Sequence, residues 1–179
     1  MTQLSSQRVA AASQPPHPGV ETQIDQYLTF MLGGEVFAIG ILAIKEIIEY
    51  SSLTEVPMMP ACIRGVINLR GAVVPVIDIA VRFGRGAAPV TKRTCIVIIE
   101  VSANGERQDV GVIVDAVNEV LEIPIADIEP PPTFGARIRT DFMRGMGKVN
   151  QKFVILLDVD HVLALDELAG LAEVAAVAA

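Results

Sequence analysis

Residues 63–79 read Ile63-Arg64-Gly65-Val66-Ile67-Asn68-Leu69-Arg70-Gly71-Ala72-Val73-Val74-Pro75-Val76-Ile77-Asp78-Ile79. Two runs of β-branched and apolar residues flank Arg70-Gly71, a pattern that favours buried strands. Gly71 accepts the positive φ of a tight turn. Pro75 has no backbone N–H and belongs at an edge or a bulge. The stretch is therefore read as a β-hairpin that stops at an acidic residue. Arg70 is its odd member: a long cation at a hairpin tip is either merely solvated or held ready for a partner.

Working outward, residues 27–32 and 35–39 form a second hairpin about Gly33-Gly34. Residues 40–44 are a short link with room for one helical turn, and 46–50 is another strand. Strands are expected at 94–101, 109–114, 118–123, 145–149 and 153–157, with a turn at Asn104-Gly105. Residues 84–90 read as a linker and 124–139, with Pro130-Pro131-Pro132, as one long irregular loop. Residues 158–178 are the only long helix candidate, capped by Asp158 or Asp160 and striped with Leu163, Leu168 and Leu171. Residues 1–24, rich in Gln, Ser, Ala and Pro, cannot bury enough apolar surface to repay ordering and are expected to be a flexible tail.

Strands outnumber helices, and the connections are too short for helical crossovers, so antiparallel sheets are expected. Numerous short apolar strands avoid open edges by closing into small barrels. The chain also repeats itself. At an offset of 80, Arg64-Gly65-Val66 matches Arg144-Gly145-Met146, and Asp78 falls on Asp158. At an offset of 73, residues 43–49 match residues 116–122, so Glu46 falls on Glu119. The expected fold is all-β: two small five-stranded barrels side by side, made by duplication. The ordered domain spans 25–165, divided at about 25–84 and 91–157, with a C-terminal helix over 158–179. The copies part where Arg70-Gly71 becomes Asn150-Gln151.

Composition removes whole classes of function. A net charge of −7 leaves no concentrated basic surface for nucleic acid. No run reaches the roughly 18–20 apolar residues of a membrane span, and the N-terminus does not read as a secretion signal. Cys62 and Cys95 are isolated among aliphatic residues, without the spacing of a metal site, and are expected to be buried free thiols of a reducing compartment. His161 is read as a surface histidine by a helix start. No nucleophile, phosphate loop or metal set stands out, so no enzyme, cofactor or metal is expected. Asp78 and Asp158 recur at one place in the repeat and are assigned the capping of the turns that follow them. What remains is a binding module that offers an aliphatic groove between two barrels.

The motif Pro57-x-x-Pro60-x-x-Ile63-Arg64-Gly65-Val66-Ile67-Asn68-Leu69-Arg70-Gly71, continued through Asp78 and Arg82-Phe83-Gly84, resembles the CheW family of bacterial chemotaxis coupling proteins. The resemblance covers about 26–164. It implies two SH3-like barrels, no enzymatic activity, and a cytoplasmic protein recruited to membrane receptor arrays. The implied partners are the cytoplasmic hairpin tip of chemoreceptors and the regulatory domain of the CheA histidine kinase, assembled into rings and arrays. Carried over by motif, Glu46, Arg70, Ile96 and Val120 are expected in the receptor-facing groove, and Ile44 and Gly65 on the kinase-facing surface. Gly145 takes the place of a structural glycine. Two other readings stay open: a coupler for a non-flagellar chemosensory system, and a small-ligand-binding barrel.

Overall fold

The computed structural model describes residues 23–103, 105–132 and 138–164. Nearly all of the expected tail, Asn104, part of the Pro-rich loop and most of the expected C-terminal helix lie outside these residues.

Strands β1 (Ile24–Leu32) and β2 (Glu35–Gly40) turn at Gly33-Gly34, and a 3-10 turn (Ile41–Ala43) leads to β3 (Ile44–Glu49). The opening stretch is β4 (Ile63–Leu69) and β5 (Ala72–Asp78), followed by the one-turn helix α1 (Ile79–Arg82). Then come β6 (Cys95–Ala103), β7 (Glu106–Val114), β8 (Ala116–Pro124), β9 (Ile128–Glu129), β10 (Met143–Val149), β11 (Lys152–Leu157) and α2 (Val159–Val162). Two expectations change here. Residues 124–139 are not wholly irregular: a 3-10 turn (Ile125–Asp127) and β9 interrupt them. The helix expected from 158 covers only Val159–Val162 among the described residues, with Leu163 as its C-cap.

The strands form two sheets, ordered β3-β6-β7-β5-β4 and β8-β1-β2-β11-β10-β9. The offsets of 73 and 80 carry β3, β4 and β5 onto β8, β10 and β11, so the two orders are the same order. The details repeat as well. Thr54 bridges Val66 just as Glu129 bridges Met146, and a bulge falls at Ile63/Gly65 and again at Met143/Gly145. Each sheet curls shut in the same way. The run from β3 to Thr54 pairs with β6 and then with β4, at the two ends of one sheet. The run from β8 to β9 does this in the other.

The division at 25–84 and 91–157 is not how the sheets are assembled. The leading hairpins are exchanged: β1–β2 joins the sheet of β8–β11, and β6–β7 joins the sheet of β3–β5. The exchange also accounts for two parallel pairs, β5 with β7 and β2 with β11, in sheets expected to be antiparallel. Their members come from different copies, so no crossover helix is needed between them.

Exchanged hairpins are covered on both faces. On β6, Ile96 and Ile98 fill the barrel with Ile67, Val74 and Val76, while Val97, Ile99 and Val101 face the other barrel. On β1, Tyr27 lies inside the second barrel with Ile123, Val154 and Leu156, while Leu28, Phe30 and Leu32 face across. The largest apolar cluster is thus the seam between barrels, and it makes the two a single folding unit. Arg82 of α1 crosses the seam, donating Nε–H to the Val162 carbonyl of α2 (2.9 Å) with its guanidinium 4.7 Å from the Phe142 ring.

Candidate interaction site

The β4–β5 tip is a two-residue turn with both members left-handed: Arg70 at φ 54° and Gly71 at φ 86°. This handedness matches the twist of the strands it joins. Asn68 Oδ1 fastens the turn by accepting from Gly71 N–H (2.9 Å). Arginine in this conformation costs about 1–2 kcal/mol relative to the right-handed one. The second tip makes the same turn, with Asn150 at φ 49° and Gln151 at φ 64°, so the conformation belongs to the turn type.

Arg70 Nη2 donates to Glu46 Oε2 at 2.7 Å. Glu46 is on β3, at the far end of the sheet order from β4, so barrel closure is what brings them together. The Arg70 side chain is 81% exposed and that of Glu46 23%. An ion pair this open to solvent stabilises by about 0–1 kcal/mol. It is a surface feature, not a strut. Val73 on β5 and Ile47 on β3 are exposed apolar residues of the same barrel. In the second copy the tip residue is Asn150, so Glu119, the counterpart of Glu46, has no equivalent cation there.

The other sequence-derived site residues separate by burial. Val120 on β8 is 46% exposed and occupies the place in its barrel that Ile47 occupies in the other. Ile44 is half-buried against the seam. Ile96 is 0% exposed inside the first barrel, so it does not belong to a receptor-facing surface. Its strand is buried on both faces, and that removes the contact role. Gly65 is buried too: a β-carbon there would meet the Thr54 carbonyl oxygen at 2.5 Å. Gly145 repeats the arrangement against the Glu129 carbonyl oxygen at 2.7 Å. Both glycines let a crossing strand lie directly on the barrel.

Asp78 caps α1, accepting from Ala80 N–H (3.1 Å) and Val81 N–H (3.4 Å), and Asp158 caps α2 by accepting from His161 N–H (3.3 Å). Burial pushes the Asp78 carboxyl above its usual range, opposed by those N–H donors and by the Arg64 charge. The Asp158 carboxylate, 2.8 Å from His161 Nδ1, raises the exposed imidazole above its ordinary value. Cys62 is buried, and burial pushes its thiol up; Cys95 is only half-buried, contrary to expectation. Among the described residues no group of three or more His, Cys, Asp or Glu is placed to hold a metal ion, and no helix is long and apolar enough to cross a membrane.

Sequence reasoning missed the outward-facing apolar residues Ile47, Val73 and Phe153 (49% exposed). The signal was present in the repeat, which carries Val73 onto Phe153 and Ile47 onto Val120, but continuous apolar runs concealed which residues point outward.

Comparison with known proteins gives one answer. Residues 26–167 match the CheW-like domain family. The chemotaxis protein CheW of Klebsiella aerogenes is 34% identical over 149 residues, covering 83% of this chain and 87% of that protein. The protein of the same name from Rhizobium meliloti is 34% identical over 142 residues, covering 79% of this chain and 89% of its own. The crystal structure of the scaffolding protein TtCheW from Thermoanaerobacter tengcongensis matches with a TM-score of 0.71 and 36% identity, over 82% of this chain and 92% of that one.

Proposed function

The chain belongs to the CheW-like family, and from that premise we propose that it is a non-enzymatic adaptor coupling chemoreceptors to the CheA histidine kinase. The observation that carries the reading is the match across the whole two-barrel unit, in a chain with no catalytic constellation in its sequence.

An adaptor without chemistry acts by differential binding: it shifts the kinase only to the extent that its contacts differ between receptor states. Arg70 and Glu46 are the proposed receptor contacts on the first barrel, with Val120 on the second. The solvent-exposed ion pair supports this. A partner that desolvates the pair would draw orientation and selectivity from it far beyond its worth in water. Ile44 is the proposed kinase-side contact. Gly65 acts from beneath, by seating residue 54 and the segment around it. Receptor, kinase and adaptor then assemble into arrays at the membrane.

The test is reconstitution of receptor fragment and CheA with and without this chain. Recruitment of kinase to receptor only when the chain is present is the expected result. Equal recruitment without it, or no binding to either partner, would overturn the proposal.

A further inference from the structure

The second barrel differs from the first at one end. There, where β1 and β10 begin and β8 and β11 finish, a cleft of about 760 Å³ opens beside the 3-10 turn that holds the fully exposed Leu42. That volume is in the range of small-ligand sites. Four carboxylates line the cleft, those of Asp25, Glu122, Asp158 and Asp160, against one guanidinium, Arg144, so negative charge is in excess. Tyr27 also lines it: its ring is 1% exposed among Ile123, Val154 and Leu156, and its hydroxyl has no hydrogen-bond partner. The charges of Arg144 and Asp25 in the cleft wall both act on that phenol, which sets its hydroxyl end at the cleft. A buried hydroxyl without a partner is costly, and here it points to a polar group supplied from outside the fold.

Two of the carboxylates are already engaged. Asp158 Oδ2 lies 2.8 Å from His161 Nδ1, and Glu122 accepts from the Gln26 amide at 3.3 Å. The side chains of Asp25 and Asp160 make no hydrogen bond or ion pair with a described residue. The repeat singles out the same groups. Asp160 falls on Ala80 at the offset of 80, and strand register sets Asp25 and Tyr27 at the places of Thr94 and Ile96. Glu122, Asp158 and Arg144 fall instead on Glu49, Asp78 and Arg64, and so belong to what both barrels share. The two unengaged carboxylates and the unpartnered hydroxyl are therefore the groups that the first copy lacks.

We propose that this cleft binds a linear aliphatic polyamine, with ammonium groups on Asp25 and Asp160 and one ammonium N–H donating to the Tyr27 hydroxyl. The chemistry of the cleft selects this class of ligand. Its charge repels anions. The carboxylates form no group able to hold a metal ion, whereas a chain of spaced ammonium groups reaches them separately. The methylene stems between those groups lie on Ile24, Leu42 and Val159, as lysine stems lie on apolar surface. The site uses neither Arg70 nor Glu46 and needs no partner protein, so the test uses the chain alone, and failure here leaves the adaptor reading untouched.

Calorimetric titration of the full chain with spermidine, in roughly 0.15 M salt to screen loose attraction, should show one saturable site. The double variant Asp25→Asn/Asp160→Asn should weaken binding by roughly tenfold or more. Tyr27→Phe should weaken it severalfold without lowering the melting temperature, because the hydroxyl makes no bond within the fold. Glu49→Gln/Glu106→Gln removes two carboxylates outside the cleft from a chain of net −7 and should bind like wild type. Several weak sites or none, a Tyr27→Phe chain that binds like wild type, or equal losses in the two carboxylate variants would overturn the proposal. So would a lysine-rich peptide that displaces spermidine and binds the cleft more tightly, which would make it a peptide site.

Discussion

Gly65 lies directly beneath Thr54, so close that a β-carbon at 65 would come within 2.5 Å of the Thr54 carbonyl oxygen. Thr54 and Val66 exchange backbone hydrogen bonds at 3.0 and 2.9 Å across this point, and the exchange closes the first barrel. Gly65→Ala must push the two strands apart against both bonds. A loss of about 1–3 kcal/mol is expected, read as a lower urea midpoint. Kinase binding should fall with it, because the segment around Thr54 loses its seat. Wild-type stability in that variant would show that the strand contact is not needed.

Ile96 and Val120 should separate cleanly. Ile96→Ala empties a fully enclosed position and should cost about 2–5 kcal/mol. Val120→Ala trims an exposed strand residue and should stay within about 0.5 kcal/mol of wild type, while receptor pull-down weakens. Chemical denaturation run beside the pull-down distinguishes the two. An Ile96→Ala protein of normal stability that fails to bind receptor would reinstate Ile96 as a contact.

The hairpins and caps were legible in the sequence because each leaves a local mark. Gly33-Gly34 and Arg70-Gly71 punctuate apolar runs, and the offset of 80 places Asp78 on Asp158, whose side chains cap α1 and α2. The exchange of hairpins was not legible. Ile96, Val97, Ile98 and Ile99 are all buried, so the alternation that assigns a strand's two faces is absent, and nothing local says which sheet β6 joins. The family motif put Ile96 in a groove, and with no alternation along the strand nothing local showed that it is buried. Arg70 and Glu46 were singled out together through the family motif, with a mutual surface salt bridge as the plain reading, and barrel closure is what makes that contact.

Asp78 gives a pH signature with a definite sign. Its carboxyl is held above the usual range by burial, so the protonated form is favoured in the folded state. That preference is fully present below the unfolded carboxylate range and is lost as pH rises through the raised value. At neutral pH the buried charge is therefore a cost. Asp78→Asn keeps an acceptor for Ala80 and Val81 N–H without the charge, whereas Asp78→Ala loses the cap, worth about 1 kcal/mol. Urea denaturation at neutral pH should rank Asn above Ala. In mildly acidic buffer wild type should gain on Asp78→Asn; a gain on raising the pH would reverse the assignment.

The adaptor account rests on Arg70 being displayed for a partner and not for the fold. Its side chain is 81% exposed and its ion pair with Glu46 is open to water, so removing it should leave the melting temperature within a degree or two of wild type. The most direct measurement is co-sedimentation of CheA with receptor, using wild-type chain and Arg70→Ala at matched concentration. The account predicts that the variant, folded and equally stable, carries far less kinase into the receptor pellet. Equal kinase recruitment by a stable Arg70→Ala chain would contradict it.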